Sequence, residues 1–207
     1  MTQIGHSEKM FSMKIFLMVL ILIFGLQSWS KADDIRDFQI EEMSVGDSLL
    51  EFFSEKEIKK KISGAQYPNK EFILYYFKNL SSFKTYEAVT VAVKANDKNY
   101  IIHDLGGSIY FKNNFEECLS MLKEISVEMK KTFSNARTGA GKASHPIDIS
   151  GKTIQHYHIF ELETGDNLQV VCLNYSNELE NQGHTDELNL TLGTSEYGDF
   201  VTNRAYN

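Results

Sequence analysis

One stripe of apolar residues dominates the middle of the chain. From Phe115 onward, Cys118, Leu119, Leu122, Ile125, Met129 and Phe133 recur at spacings of three and four. That period predicts an α-helix over about 114–133 with one face turned to a core. Upstream, Val89, Val91 and Val93 alternate along TYEAVTVAVKAND and predict a strand with one buried face. EFILYYFK is apolar on both faces, which predicts a strand inside a sheet rather than at its rim. NYIIHDL and SIYF predict the halves of one long strand. Gly106 and Gly107 between them mark a bulge or a close backbone approach. Three further strands are expected at about 152–163, 167–176 and 187–193, with Gly165 and Asp166 suited to a tight hairpin between the first two.

Ahead of the strands, Ser44 with Asp47 and Ser54 with Glu57 have the spacing of capping boxes. They predict two short helices, or one kinked near Ser54. Lys59, Lys60 and Lys61 then crowd a helix end, where cations suit the dipole. Residues 134–150, SNARTGAGKASHPIDIS, predict a loop, and the polar C-terminal residues predict a frayed tail. The element order is ααβββαβββ. Strands follow one another without helical crossovers, so antiparallel pairing is expected. The expected fold is α+β: a mostly antiparallel sheet of about six strands with helices packed on one face.

The start of the chain sets where such a domain works. Lys14 precedes twelve apolar residues, IFLMVLILIFGL, and then the polar stretch QSWSKADD. Charge, apolar run and small residues before a cut are the layout of a secretory signal. The run falls short of the roughly 20 residues a spanning helix needs. Ser30 and Ala32 suit a cut before Asp33; Ser28 and Ser30 offer a second choice. A signal peptide is therefore expected over residues 1–32, with Met13 as an alternative start, followed by a single domain over 33–207. The rival is an anchor that stays uncleaved. On the first reading the domain is periplasmic or secreted and meets a membrane only in transit. No Cys lies near the cut, so a lipid anchor of the bacterial lipoprotein kind is excluded there.

Composition sharpens this picture little. The chain has 207 residues, enough for one domain with a proper core. Hydrophobic residues make up 42%, which excludes a disordered class. The formal charge of −7 argues against nucleic acid as a partner.

Cys118 and Cys172 are the only thiols. Cys118 lies within the helical stripe, and Cys172 alternates with Leu168 and Val170 along a strand. A helix core face and a sheet core face thus each offer one sulfur, and outside the cytosol a disulfide is the expected outcome. Two buried free thiols are the alternative.

IEEMSVGDSLLEFFSEKEIKK, residues 40–60, resembles the opening of small exported bacterial proteins that carry a signal peptide and have no assigned activity. Those pair I-x-x-M-S-x-G-D-S-L-L with a Cys after an aromatic-rich strand and a later Cys. The resemblance covers most of residues 13–192 and implies export rather than a reaction. A fainter similarity runs to the helix–helix–sheet domain of small outer-membrane-assembly lipoproteins, which begin I-x-x-G-M-[ST]. Here Glu42 stands in place of that glycine.

Candidate chemistry is sparse. In IQHYHIF, His156 and His158 fall on one face of a strand. Same-face imidazoles can chelate zinc or copper, but a catalytic zinc needs a third protein ligand. The candidates are His103, Asp104, His145, His184 and Asp186. The plainer reading is a partly exposed sheet face whose imidazoles bond water or neighbours. RTGAGKAS is not a phosphate loop: Ala136 occupies the first glycine position and Ala143 replaces the Ser or Thr after lysine. No G-x-S-x-G occurs, and Asp33–Asp34, Glu41–Glu42 and Glu116–Glu117 are adjacent pairs whose side chains diverge. No catalytic residue and no cofactor site emerge. The expected function is a non-enzymatic binding or interaction protein of the cell envelope, with an envelope protein or a small ligand as partner. The alternative is a metal-binding protein or metal-dependent enzyme using His156 and His158.

Overall fold

The computed structural model describes residues 34–146 and 148–207. The expected signal over residues 1–32 lies outside them. Seven strands form one sheet: β1 (Phe72–Lys78), β2 (Ala88–Lys94), β3 (Ile102–Tyr110), β4 (Arg137–Ser144), β5 (Ile154–Glu161), β6 (Asn167–Asn174) and β7 (Glu187–Gly193). Their spatial order is β1-β2-β3-β7-β6-β5-β4, and every neighbouring pair is antiparallel. Two meanders are therefore joined by the pairing of β3 with β7. The helices are α1 (Glu55–Lys59), α2 (Phe115–Thr132), α3 (Asn177–Glu180) and α4 (Ser195–Asn203), with single 3-10 turns at Ile35–Asp37 and Leu49–Glu51. The α+β class and antiparallel sheet stand. Among the described residues, no helix is long and apolar enough to cross a membrane.

Four local expectations are corrected. Residues 137–144 form β4 and not part of a loop, making seven strands instead of six. Every residue of β4 is exposed, so no hydrophobic alternation announced it. Its eight residue pairs with β5 place Gly141 opposite Tyr157. A Cβ at Gly141 would fall 2.5 Å from the Tyr157 hydroxyl, so the ring lies across bare backbone.

The strand EFILYYFK sits at the rim and not inside. Its two apolar faces reflect cover from both sides. Its outer edge is also occupied: Tyr76 N–H donates to Lys61 O (2.7 Å) and Ser63 N–H to Leu74 O (2.8 Å). The Gln66 amide then imitates a neighbouring strand. Leu74 N–H donates to Gln66 Oε1 (3.0 Å), and Gln66 Nε2 donates to Leu74 O (2.7 Å).

The first of the two expected N-terminal helices is absent. Asp47 accepts the Ser44 N–H (2.8 Å), as a capping box requires. The following backbone is taken up by β3 and the residues before it: Gly46 N–H donates to Ile102 O, Ile102 N–H to Asp47 O and Leu49 N–H to Tyr100 O, each at 2.9 Å. A helix would forfeit those bonds. The second box is complete, with Ser54 and Glu57 bonded reciprocally at the start of α1.

The polar tail is the helix α4, not a frayed end. Thr194 Oγ1 caps it by accepting Tyr197 N–H (3.2 Å), and Phe200 is fully buried. The helices therefore cover both faces of the sheet instead of one.

The main core lies on the α2 face. Cys118, Met121, Leu122, Ile125 and Met129 of α2 pack on Leu168, Val170 and Cys172 of β6 and on Leu188, Leu190 and Leu192 of β7. Cys118 and Cys172 are joined as a disulfide, with their Cα atoms 6.0 Å apart. Ile35, Phe38, Ile40, Met43, Val45 and Leu49 from the N-terminal segment fill the same core, and Phe38 meets Phe133 at 4.9 Å between ring centres. Glu41 fixes the loop before β2 by accepting the N–H groups of Lys84, Thr85 and Tyr86 at 2.7–2.8 Å. That seats the Tyr86 ring on Gly107, where a Cβ would come within 2.5 Å of it. The close backbone approach expected at the glycine pair is thus at Gly107. The bulge lies earlier in the strand, where the β2–β3 register shifts between Ala92–Asp104 and Val93–Ile102.

Candidate functional site

The opposite sheet face is built from different residues. Where β3, β7 and β6 present Leu105, Leu190 and Val170 to α2, the alternate positions are Asp104, Gly106 and Ser108, then Asn189, Thr191 and Gly193, then Asn167 and Gln169. The period of two puts small and polar residues at the centre of the sheet. Apolar residues flank this centre, Val171 and Ile159 on the β6–β5 side and a larger cluster at the β1–β3 end. There Phe72 and Ala92 pack against Tyr197, Phe200 and Ala205 of α4 and the residues after it.

The start of α4 is tied to the β5–β6 turn through Asp166. Ser195 N–H donates to Asp166 Oδ1 (2.8 Å), and Asp166 also accepts from Arg36 (3.2 Å). The helix therefore stands over the sheet beside its polar centre and encloses a cavity of about 540 Å³. Asp104 lies at the cavity floor between Thr191, Asn167, Gln169 and the phenols of Tyr67 and Tyr197. The two hydroxyls are 3.3 Å apart. Glycines keep the floor low: a Cβ at Gly193 would stand 2.9 Å from Asp104 Oδ1, and one at Gly198 would stand 3.4 Å from Asn167 Nδ2.

The electrostatics centre on Asp104. Its carboxyl is 8% exposed and has no hydrogen-bond or ion-pair partner among the described residues. Burial alone pushes it up to about 8. Burial also raises Tyr67 and Tyr197, and the nearby Asp104 charge raises both further. Asp104 carries the bulge with His103. The His103 ring meets Phe72 edge-on at 5.3 Å, and its Nδ1 is 3.6 Å from Glu196. That is beyond hydrogen-bond reach, and burial holds the imidazole below its ordinary value, so it is neutral at pH 7.

His156 and His158 lie across the sheet from this cavity, on the α2 side, paired with Cys172 and Val170 of β6. They are partly exposed, at the border of the core. The His156 ring is 5.7 Å from that of Phe115. Burial, reinforced by Lys142, lowers His156, and burial lowers His158. The third-ligand candidates do not converge on them. His103 and Asp104 face α4. His184 stacks near Tyr175 at 4.8 Å, Asp186 accepts the Tyr175 N–H (2.8 Å), and His145 lies beyond the end of β4 with its N–H on Thr153 O. Among the described residues no group of three or more His, Cys, Asp and Glu is placed to hold a metal ion.

Sequence reasoning counted Asp104 only as a metal ligand and did not single out Tyr67, Tyr197, Thr191 or Gln169. The signal was the shared pattern of β3, β6 and β7, apolar on one face and small or polar on the other, at what proves to be the sheet centre. Compared with known proteins, the chain matches no family model, no curated protein and no solved structure.

Proposed function

We propose that this chain is an exported binding protein of the cell envelope, periplasmic in a cell with two membranes, that holds a small ligand in the cavity beneath α4. The observation that carries the reading is the cavity itself, with one buried carboxyl at its floor and no partner for it among the described residues. A volume of about 540 Å³ is in the range of small-molecule sites. A carboxyl largely withdrawn from bulk water without a partner is poorly solvated, and a ligand that pairs with it makes up for the lost solvation. Binding is favoured over catalysis because, among the described residues, no hydrogen bond joins a hydroxyl lining the cavity to one of its carboxylates: Tyr67 and Tyr197 bond one another, Thr191 bonds Asn189 and Thr202 bonds the Gly198 carbonyl. Export is supported by the leader-like run after Lys14, the resemblance of residues 40–60 to exported proteins, and a disulfide compatible with an oxidising compartment.

The test is native mass spectrometry on the protein purified from envelope fractions, with N-terminal sequencing. The expected result is a chain beginning at Asp33 and a small-molecule adduct that Thr191→Trp, which fills the cavity, abolishes. A cytosolic protein with its leader intact would defeat the export half. An adduct unaffected by Thr191→Trp, or no adduct at all, would defeat the cavity half.

A further inference from the structure

We infer that the cavity beneath α4 is a site for a small organic cation, an ammonium group on a compact, partly apolar body, with the Asp104 carboxylate as its counter-ion. The inference rests on the cavity being a ligand site and adds the class of ligand. Three carboxylates line the cavity: Asp104 at the floor, Glu161 of β5 and Asp199 of α4. Among the described residues no Lys, Arg or His lines it. Both rim acids have cationic partners, Arg137 for Glu161 and Arg204 for Asp199. Asp104 alone has no counter-charge, and it is the most deeply buried of the three.

An anionic ligand is disfavoured on the same grounds, and the helix end gives it no help. Three of the first four N–H groups of α4 are already taken, Ser195 by Asp166, Tyr197 by the Thr194 hydroxyl and Gly198 by the Thr194 carbonyl. A metal ion is disfavoured because the acids do not converge as a ligand set, and because the space is many times larger than an ion. The other groups suit an ammonium. The Tyr67 and Tyr197 hydroxyls can accept N–H bonds. Gln169 donates its Nε2 to Asn167 (3.2 Å) and keeps its oxygen as an acceptor. Ile159 and Val201 supply an apolar wall for the hydrocarbon part.

Cation binding would be coupled to a proton. Near neutral pH an empty site holds Asp104 protonated, and an incoming ammonium displaces that proton to solvent as the carboxylate forms. Tyr67 and Tyr197 are pushed up and His103 is pushed down, so all three are moved away from the range in which Asp104 titrates. Glu161 and Asp199 are the other titratable groups facing the site.

The experiment uses the purified protein with ethanolamine, putrescine and choline as cationic probes, and acetate and glycerol as controls. Binding is followed by calorimetry and by amide chemical shifts. At about pH 9 at least one cationic probe is expected to bind and move the Gly193 and Gly198 amides, and below about pH 8 its affinity is expected to fall about tenfold per pH unit. Asp104→Asn is expected to weaken it by at least about tenfold, and Asp199→Asn by less than about threefold. Equal losses in the two variants, or unchanged binding to Asp104→Asn, would overturn the counter-ion assignment. Acetate or glycerol moving the same amides while every cation fails would overturn the ligand class and leave the cavity as a binding site. No probe moving those amides would overturn both.

Discussion

The two faces of the sheet follow opposite rules although they share one backbone. On the α2 face, β6 and β7 contribute Leu168, Val170, Cys172, Leu188, Leu190 and Leu192, all fully buried, and a disulfide ties helix to sheet. On the α4 face the same strands contribute Asn167, Gln169, Asn189 and Thr191, and the covering helix leaves a space above them. One face is built for stability: apolar area, close packing and a covalent tie. The other gives up that stability to keep a largely buried carboxyl, 8% exposed, facing a cavity without a charge partner. Buried polar groups without partners are uncommon in folded proteins, and their presence at one place directs attention to that place.

The strongest blow to the comparison would fall on the α2 face. Replacing Cys118 and Cys172 with Ser opens a loop of 54 residues and is expected to cost about 4 kcal/mol by the chain-entropy model, read as a lower midpoint in denaturant unfolding. On the α4 face, Phe200→Ala removes the fully buried anchor of the helix and is expected to cost about 3 kcal/mol. Hydrogen exchange should then show α4 opening while α2 stays protected.

Asp104→Asn tests the price of the lone carboxyl directly. Its acid is raised in the fold, so the native state holds a proton that the unfolded chain releases near pH 4. Native stability therefore falls as pH rises from about 4 to about 8 and levels off above that. The Asn variant lacks this slope. Relative to the parent it is expected to gain about 2 kcal/mol between pH 6 and pH 8, measured as the difference between their unfolding free energies. A constant difference across that range would mean that Asp104 is not raised. The smallest effect belongs to the histidines. His156→Ala with His158→Ala is expected to cost no more than about 1 kcal/mol, because both rings are only half-buried. Metal analysis of the parent should find no stoichiometric zinc or copper. Metal retained by the parent and lost in the double variant would move the functional site to the α2 face.

Much of the α2 face was legible in the sequence because it follows simple periods. The three-and-four spacing from Phe115 to Phe133 marked α2, alternation marked Val89 to Val93, and the alternation of Leu168, Val170 and Cys172 set Cys172 on a core face opposite Cys118. The α4 face was harder to read because its cues are individually ordinary. EFILYYFK looked central because both its faces are apolar, yet Phe72 is covered by α4 and Tyr75 by the main core, with β1 at the rim. Strand β4 has no apolar side chain larger than alanine to betray it and is held by backbone pairing. The Thr194 cap with Tyr197, Phe200 and Val201 at helical spacing does signal α4, but in a short and polar setting. Asp104 stood in plain view. What singles it out is a missing partner, which depends on neighbours from four separate stretches of chain.

The placement of α4 also bears on the order in which the molecule can be finished. Among the strands β1 is made first, whereas Phe200 and Ala205, which close over Phe72, are made after all seven. Asn69, just ahead of β1, bonds to the Ala205 carbonyl and the Arg204 carbonyl. Whether it emerges from a ribosome or threads through an export channel, the earliest strand must wait with one apolar side wet until that late latch arrives. Throughout that interval Asp104 remains hydrated and charged, and its chamber exists only once the latch has shut.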